Sequence, residues 1–440
     1  MNINKEHLFK NIADSGEKYD VIVAGGGPAG IGAALSAAVN GAEVLILEVR
    51  SQFGGTASAA LWMCINWLFA DNNETDRGGV HRLLVDKIRS MGEAACCPGK
   101  RRNTINGGNL DVHPEYLKLA LFELFEQFKI DYQLYSPVTG VIKDGNLLKG
   151  VEVSGKEGEK RYYAEVIIDA TGDGDVACLA GCEMVEGREE DNKHMPISLV
   201  FALANVDIDR FFSYWEEYKD TEFKELLDKE RDKGKHCLTT WYSMDRTTVP
   251  GVVSVNNGGS GYLNLDGAKT ADLTAAERVG IQIAMDFVSF VKENNIPGME
   301  DCYLVRTGAF AAVRDTRRLV GEYVLTEEDI LHGKEFEDVV ARKYGAMDAV
   351  GFDSGRKIKQ GAAYPYRSLL PKDVDGLLAA GRCGSATFLG HSGGKSMGNM
   401  LAIGQAAGAA AHLAVKHNIT PRELEAKKVQ QVLRDMGVSI

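Results

Sequence analysis

At 440 residues the chain exceeds what one compact domain usually holds, so two interleaved domains around a large core are expected. A formal net charge of −12 argues against a broad nucleic-acid or anionic-membrane surface, and the local run Lys100-Arg101-Arg102 reads as a solvated loop. Residues 1–18 lack an apolar signal core and no apolar run approaches a membrane span, so a cytoplasmic location is expected by default.

Residues 19–24 form an apolar, β-branched run suited to a strand buried on both faces, and it enters Gly25-Gly26-Gly27-Pro28-Ala29-Gly30 directly. Gly25 permits the tight turn, Gly27 lets the backbone approach a pyrophosphate, and Gly30 lets the next helix lie close against the sheet. That helix, predicted over residues 28–40, is alanine-rich and directs unpaired N-terminal amides to where phosphate would sit. Residues 44–47 make a second strand. Glu48 follows at the spacing of an acid that accepts hydrogen bonds from a ribose; it would repel an additional phosphate, which disfavours NADP. Together these predict a dinucleotide site, for NAD or FAD.

Three later segments bear on that choice. Val49-Arg50-Ser51-Gln52-Phe53-Gly54-Gly55-Thr56 is a turn whose paired glycines bring backbone close to the rest of a long cofactor. Residues 164–169 read as a buried strand ending in Ala170-Thr171-Gly172-Asp173-Gly174-Asp175, with a helix from Val176. Residues 375–381 are another short strand ending in glycine; Arg382 and a glycine-rich loop then lead to a helix over 397–414.

These segments resemble the FAD-dependent oxidoreductases that share the glutathione-reductase-type FAD domain. Among them the likeness is to the group with a single dinucleotide site, related to the fumarate reductase flavoprotein class. It runs from about residue 19 to about 415 and rests on four stretches: Ala170-Thr171-Gly172-Asp173-Gly174-Asp175, Arg314-Asp315-Thr316-Arg317-Arg318-Leu319-Val320-Gly321-Glu322-Tyr323, Leu377-Leu378-Ala379-Ala380-Gly381-Arg382-Cys383 and Gly404-Gln405-Ala406-Ala407-Gly408. The loop 384–395 departs from the arginine-containing version common in the group.

The resemblance implies an α/β fold: a glutathione-reductase-like, Rossmann-type FAD domain around a central parallel sheet, with an interleaved α+β substrate cap. It assigns Gly25, Gly27, Ala29 and Gly30 to the pyrophosphate with Pro28 beside them, Glu48 to the adenosine ribose, and Arg50, Gly55 and Thr56, flanked by Val49 and Gly54, to the cofactor's middle. The backbone of Val138 reads adenine, Ala170, Thr171 and Gly172 close over the nucleotide, and Gly381 and Arg382 lie near the ribityl chain. Amides around Gly398, Asn399 and Met400 point at the flavin's pyrimidine edge, which stabilises reduced flavin. No histidine stands beside Gly54-Gly55 at the covalent-flavin position, so FAD is expected to be noncovalent.

The FAD domain is then expected over 1–60, 113–185 and 364–440, and the cap over 61–112 and 186–363. The cap contains strand-like runs at 197–204, 251–255 and 303–312 and a helix over 274–293. Residues 220–235 read as a charged, exposed helix. The eight cysteines read as reduced thiols: no CxxC occurs, Cys178 and Cys182 suit core packing, and a vicinal Cys96-Cys97 disulfide would be strained. No metal site is expected. With no second nucleotide fingerprint, electrons come from or go to an external partner: visiting NAD(P)H, a carrier protein or oxygen.

The catalytic candidates cluster before the flavin-facing helix. His391, Ser392 and Lys395 stand in a loop expected over 388–396. His391 could act as acid or base and Lys395 could bind an anion or polarise a carbonyl, or the histidine could merely pack and the lysine be solvated. Arg314, with Arg317 and Arg318, could bind a carboxylate or oxyanion, or form a structural ion network with Asp315 and Glu322. Trp62, Trp67 and Trp241 line a pocket or belong to the core. The function expected is hydride transfer between FAD and a small polar organic substrate (alcohol or ketone, sugar-like, or activated alkene), without nucleic acid or membrane and with a homo-oligomer compatible. A flavoprotein monooxygenase and a non-redox isomerase or hydratase are the alternatives.

Overall fold

The computed structural model describes residues 18–59, 61, 64–98, 107–218, 220, 222–234 and 239–440. The basic run Lys100-Arg101-Arg102 and Trp62 lie outside the described residues. The elements that build and roof the site are, in chain order, β1 (Lys18–Ala24), α1 (Pro28–Val39), β2 (Val44–Leu47), β3 (Asp131–Gln133), β4 (Val138–Asp144), β5 (Leu147–Gly155), β6 (Gly158–Asp169), α2 (Asp175–Ala180), β7 (Phe201–Ala204), β8 (Tyr242–Arg246), β9 (Val253–Asn257), α3 (Thr270–Glu293), β10 (Tyr303–Thr307), β11 (Leu377–Ala379), α4 (Phe388–Ser392) and α5 (Met397–His417).

Seven strands make the central sheet, in the order β3-β2-β1-β6-β5-β4, with β11 also on β6. β1 pairs in parallel with β2 (Val21 opposite Val44) and with β6 (Ile22 opposite Ile167), while β2 pairs with β3 and β6 with β11 in the same sense. Val21, Ile22 and Val23 are fully buried, as central parallel strands covered on both faces require. β6 changes role along its length. Its N-terminal half pairs antiparallel with β5, which pairs antiparallel with β4, and its C-terminal half enters the parallel core. The architecture is mixed α/β with parallel strands at its centre, consistent with a Rossmann-type FAD-binding fold.

α1 and α5 cross with their backbones in contact. A Cβ on Gly404 would lie 1.9 Å from the Ala29 carbonyl oxygen, and one on Gly408 would lie 2.1 Å from that of Ala33. Residues four apart share a helix face, so two glycines on α5 meet two alanines on α1. Gly32 of α1 faces Leu401 in the same way, its Cβ position 2.2 Å from that carbonyl oxygen. The small-residue composition of both helices is thus a requirement of close packing.

A second, antiparallel sheet has the order β8-β9-β7-β10. Phe201, Leu203, Val253 and Val255 on one face pack on Ile283, Phe287 and Val291 of α3. Alternation sends Ser243 and Asn256, with Val200 just ahead of β7, to the other face, over a large cavity. The expected runs 197–204, 251–255 and 303–312 contain or overlap β7, β9 and β10, and the expected helix begins four residues earlier, at Thr270. In the region read as an exposed helix, Lys224–Asp232 is helical but buries Leu227 and Glu230. Among the described residues no helix is long and apolar enough to cross a membrane.

Candidate active site

A cavity of about 800 Å³ lies between the C-terminal ends of the parallel strands and the polar face of the second sheet. Its floor begins at the first glycine turn. Gly25 has φ 103°, and a Cβ there would fall 2.3 Å from the Ala170 carbonyl oxygen. At Gly27, by contrast, a Cβ would meet nothing within 4 Å, because this position opens onto the cavity. No side chain caps the N-terminus of α1. An open cradle at an uncapped helix start suits a diphosphate.

Glu48 is buried, its carboxylate accepting from the Gly26 amide at 2.7 Å and the Arg50 amide at 2.8 Å. Burial pushes its pKa up. It braces the turn and still lines the cavity, with lone pairs left for a hydroxyl. Arg50 lies over the Phe310 ring at 3.4 Å. Asp169 was passed over by the sequence reading, although an acid ending an apolar strand was the available signal. It is fully buried and accepts from the Thr171 amide (3.1 Å), Thr171 Oγ1 (2.7 Å) and the Ala177 amide (2.8 Å), pinning the turn between β6 and α2.

Of the residues expected around the cofactor, Gly25, Gly27, Pro28, Ala29, Glu48, Val49, Arg50, Gly55 and Thr56 line this one cavity. So do Val138, Ala170, Thr171, Gly172, Gly381, Arg382 and Met400. Four do not. A Cβ on Gly30 would sit 1.7 Å from the Gly25 carbonyl oxygen, so this glycine closes the helix on its own turn. Gly54 donates to the Gly26 carbonyl at 2.9 Å and faces Ser58. Asn399 is fully buried, donating to the Tyr344 (2.7 Å) and Gly394 (3.0 Å) carbonyls and accepting from Arg77 Nη1 (3.0 Å). The Gly398 amide donates to the Asn66 carbonyl at 3.0 Å, and the Met400 amide bonds to Ser396 within the helix at 3.0 Å. The expectation that these two amides face the flavin is therefore corrected: both are spent inside the protein.

The sequence profile of FAD dependent oxidoreductases matches residues 20–433. The chain belongs to the FAD dependent oxidoreductase family. FAD is its cofactor, and the open position at Gly27 and the uncapped α1 fit that group. A digeranylgeranylglycerophospholipid reductase from Thermoplasma volcanium is 25% identical over 201 residues, 44% of this chain and 48% of that protein, so the match spans about half the length of that relative. A geranylgeranyl bacteriochlorophyll reductase-like protein from Thermoplasma acidophilum has 14% identity and a TM-score of 0.50, covering 96% of this chain and 83% of its own. A flavin-dependent brominase has 15% identity and a TM-score of 0.51, covering 95% and 83%. These two structures show a shared fold.

The cavity of this FAD dependent oxidoreductase is also lined by His391, Arg314 and Lys395. His391 belongs to the short helix α4 rather than to a loop. Its Nε2 lies 3.2 Å from the Arg314 carbonyl oxygen; a carbonyl only accepts, so Nε2 carries the proton and Nδ1 the lone pair. Burial, reinforced by the Lys395 and Arg318 charges, holds the imidazole well below its usual pKa, which leaves it neutral. Lys395 keeps its side chain 10% exposed, and desolvation pushes its pKa down to about 8. Its Nζ donates to Met195 Sδ at 2.8 Å and stands 3.6 Å from Asp348 Oδ2, thin provision for three donors.

Arg314 Nη1 is 3.4 Å from the same Asp348 oxygen, its guanidinium faces Trp241 at 5.9 Å, and its buried Nε has no partner. The other two arginines of the hallmark do not line the cavity. Arg317 pairs with Asp175 at 2.5 Å, and Arg318 bonds to the Gly187 carbonyl at 2.8 Å beside Glu189. Asp315 accepts from the Met195 amide at 2.6 Å and from His194 Nδ1 at 3.2 Å. Arg382 bonds to Asp173 at 2.7 Å and Thr316 at 2.8 Å. Asp348 escaped sequence reasoning because its strand, Ala346–Ala349, pairs with Asp353–Lys357 in a short hairpin carrying no motif. Trp67, stacked on Tyr344 at 5.8 Å, and Trp241 both line the cavity. Burial pushes the Cys182 thiol up to about 11, so it is not a reactive thiolate. Among the described residues no cluster of three His, Cys, Asp or Glu could hold a metal.

Proposed function

We propose that this FAD dependent oxidoreductase exchanges hydride between noncovalent FAD and a small polar substrate that carries an anionic or carbonyl oxygen. The observation behind this reading is that two cations, Arg314 and Lys395, share a single carboxylate, Asp348, on the cavity wall beside a neutral His391. When bound, FAD takes up or returns the hydride. Gly25, Gly27 and the start of α1 would hold its diphosphate, Glu48 its ribose, and the turn at Thr171 and Gly172 its nucleotide flank. The Arg314 Nε and the Lys395 ammonium bind the substrate's anionic oxygen. His391 Nδ1, which carries the free lone pair, receives the proton of a substrate hydroxyl as the alcohol is oxidised to a carbonyl.

The same reading divides the chain into a glutathione-reductase-like FAD domain (1–60, 113–185 and 364–440) and a cap (61–112 and 186–363). The two sheets support that division. The enzyme would be cytoplasmic, with an external electron partner. The test is anaerobic absorbance at the flavin band on mixing the purified protein with alcohols, sugars and amines, and separately with NADH and NADPH. Bleaching by an organic hydroxyl compound is expected; bleaching by nicotinamide alone would reverse the proposed direction. His391→Ala should retain FAD and slow turnover by about a hundredfold. Undiminished turnover would remove His391 from the reaction.

A further inference from the structure

Ser198 Oγ and Asn256 Oδ1, in the roof of the cavity, are buried without any hydrogen-bond partner. Ser198 is 1% exposed and Asn256 5%, and both line the cavity that holds Arg314 and Lys395. Leaving such atoms unsatisfied is costly, so two of them facing one cavity point to a ligand that meets them.

Chain connections bring both toward the cationic end. Ser198 exchanges backbone hydrogen bonds with Ala312, at 3.2 and 2.7 Å, two residues before Arg314. Met195, three residues before Ser198, is the residue that Lys395 touches. Asn256 lies opposite Ser243 on β8, just past Trp241, the ring that faces the Arg314 guanidinium. A hydroxyl can donate to Asn256 Oδ1 and can exchange a hydrogen bond with Ser198, whereas Arg314 and Lys395 can only donate and call for an anionic acceptor.

We infer that the cavity takes a hydroxylated carboxylate, its carboxylate on Arg314 and Lys395 and its hydroxyls on Ser198 and Asn256. This rests on the reading of Arg314 and Lys395 as the anion anchor. The experiment titrates the FAD-loaded protein anaerobically with gluconate, hexanoate and glucitol, following perturbation or bleaching of the flavin band. Gluconate should bind about tenfold more tightly than hexanoate, and Ser198→Ala and Asn256→Ala should each remove most of that preference while FAD affinity and hexanoate binding hold. Equal binding of gluconate and hexanoate, a preference unchanged in both variants, or no response to any probe overturns the inference. Loosened FAD in the variants also overturns it, assigning the two atoms to the cofactor. Glucitol matching gluconate, with Arg314→Leu having no effect on either, overturns the carboxylate end and the anion anchor with it, yet leaves the hydroxyl preference of the roof visible.

Discussion

Gly27 and Gly30 stand three residues apart in one turn, yet they answer to different demands. A Cβ on Gly27 enters open cavity from an ordinary φ of −76°, whereas one on Gly30 would collide with the Gly25 carbonyl oxygen at 1.7 Å. Gly27→Val should therefore fold, with apo stability changed by less than about 1 kcal/mol, but purify without FAD. Gly30→Ala should lose stability and FAD together. Flavin absorbance per protein and urea denaturation of the apo forms separate the two; flavin retained in Gly27→Val would refute the diphosphate assignment. The need for glycine at both positions was legible from spacing. Which demand each glycine meets was not, because it depends on what the fold sets opposite the missing side chain.

At the scale of elements, α1 and α5 form the joint on which the cradle rests. Gly404 touches the Ala29 carbonyl in the first turn of α1, so any side chain at 404 pushes that turn away from the diphosphate position. Gly404→Ala should cost about 3 kcal/mol, an overpacking penalty at the upper end of the usual range, and weaken FAD binding. Urea denaturation with and without FAD checks both, and an unchanged midpoint would mean that the helices give way without cost. β1, α1 and β2 were readable to within a residue, because each is uniformly apolar or small and the glycine turn fixes their order. The helix α4, five residues among glycines, is too short to show a helical period, and the hairpin carrying Asp348 leaves no periodic trace.

Across the whole molecule, the Asp315 carboxylate joins the hallmark segment to residues 194 and 195, and through Met195 to Lys395. His194 and Asp315 have side chains only 7% and 0% exposed, and the hydrogen bond to Asp315 raises the His194 pKa above its ordinary 6.5. A raised folded pKa gives stability that is complete below about pH 6.5 and is lost as pH climbs through the raised value. The wild type should accordingly lose more thermal stability between pH 6 and 8 than His194→Gln does. Tm measured across that interval decides the matter; parallel curves would show that the pair contributes no charge-dependent stability.

The sequence alone determined the dinucleotide fingerprint, because a strand, a glycine turn and a helix within about thirty residues encode their own geometry; the family, and FAD with it, rested on the resemblance carried by four later stretches between residues 170 and 408. Tertiary structure decided which polar groups meet and which are already spent. Arg314 finds Asp348 across 34 residues, Lys395 finds Met195 across 200, and the Gly398 amide is taken by the Asn66 carbonyl. Burial then sets the charge: the histidine that spacing offered as acid or base is held neutral by its surroundings, and those surroundings exist only once distant segments have packed together.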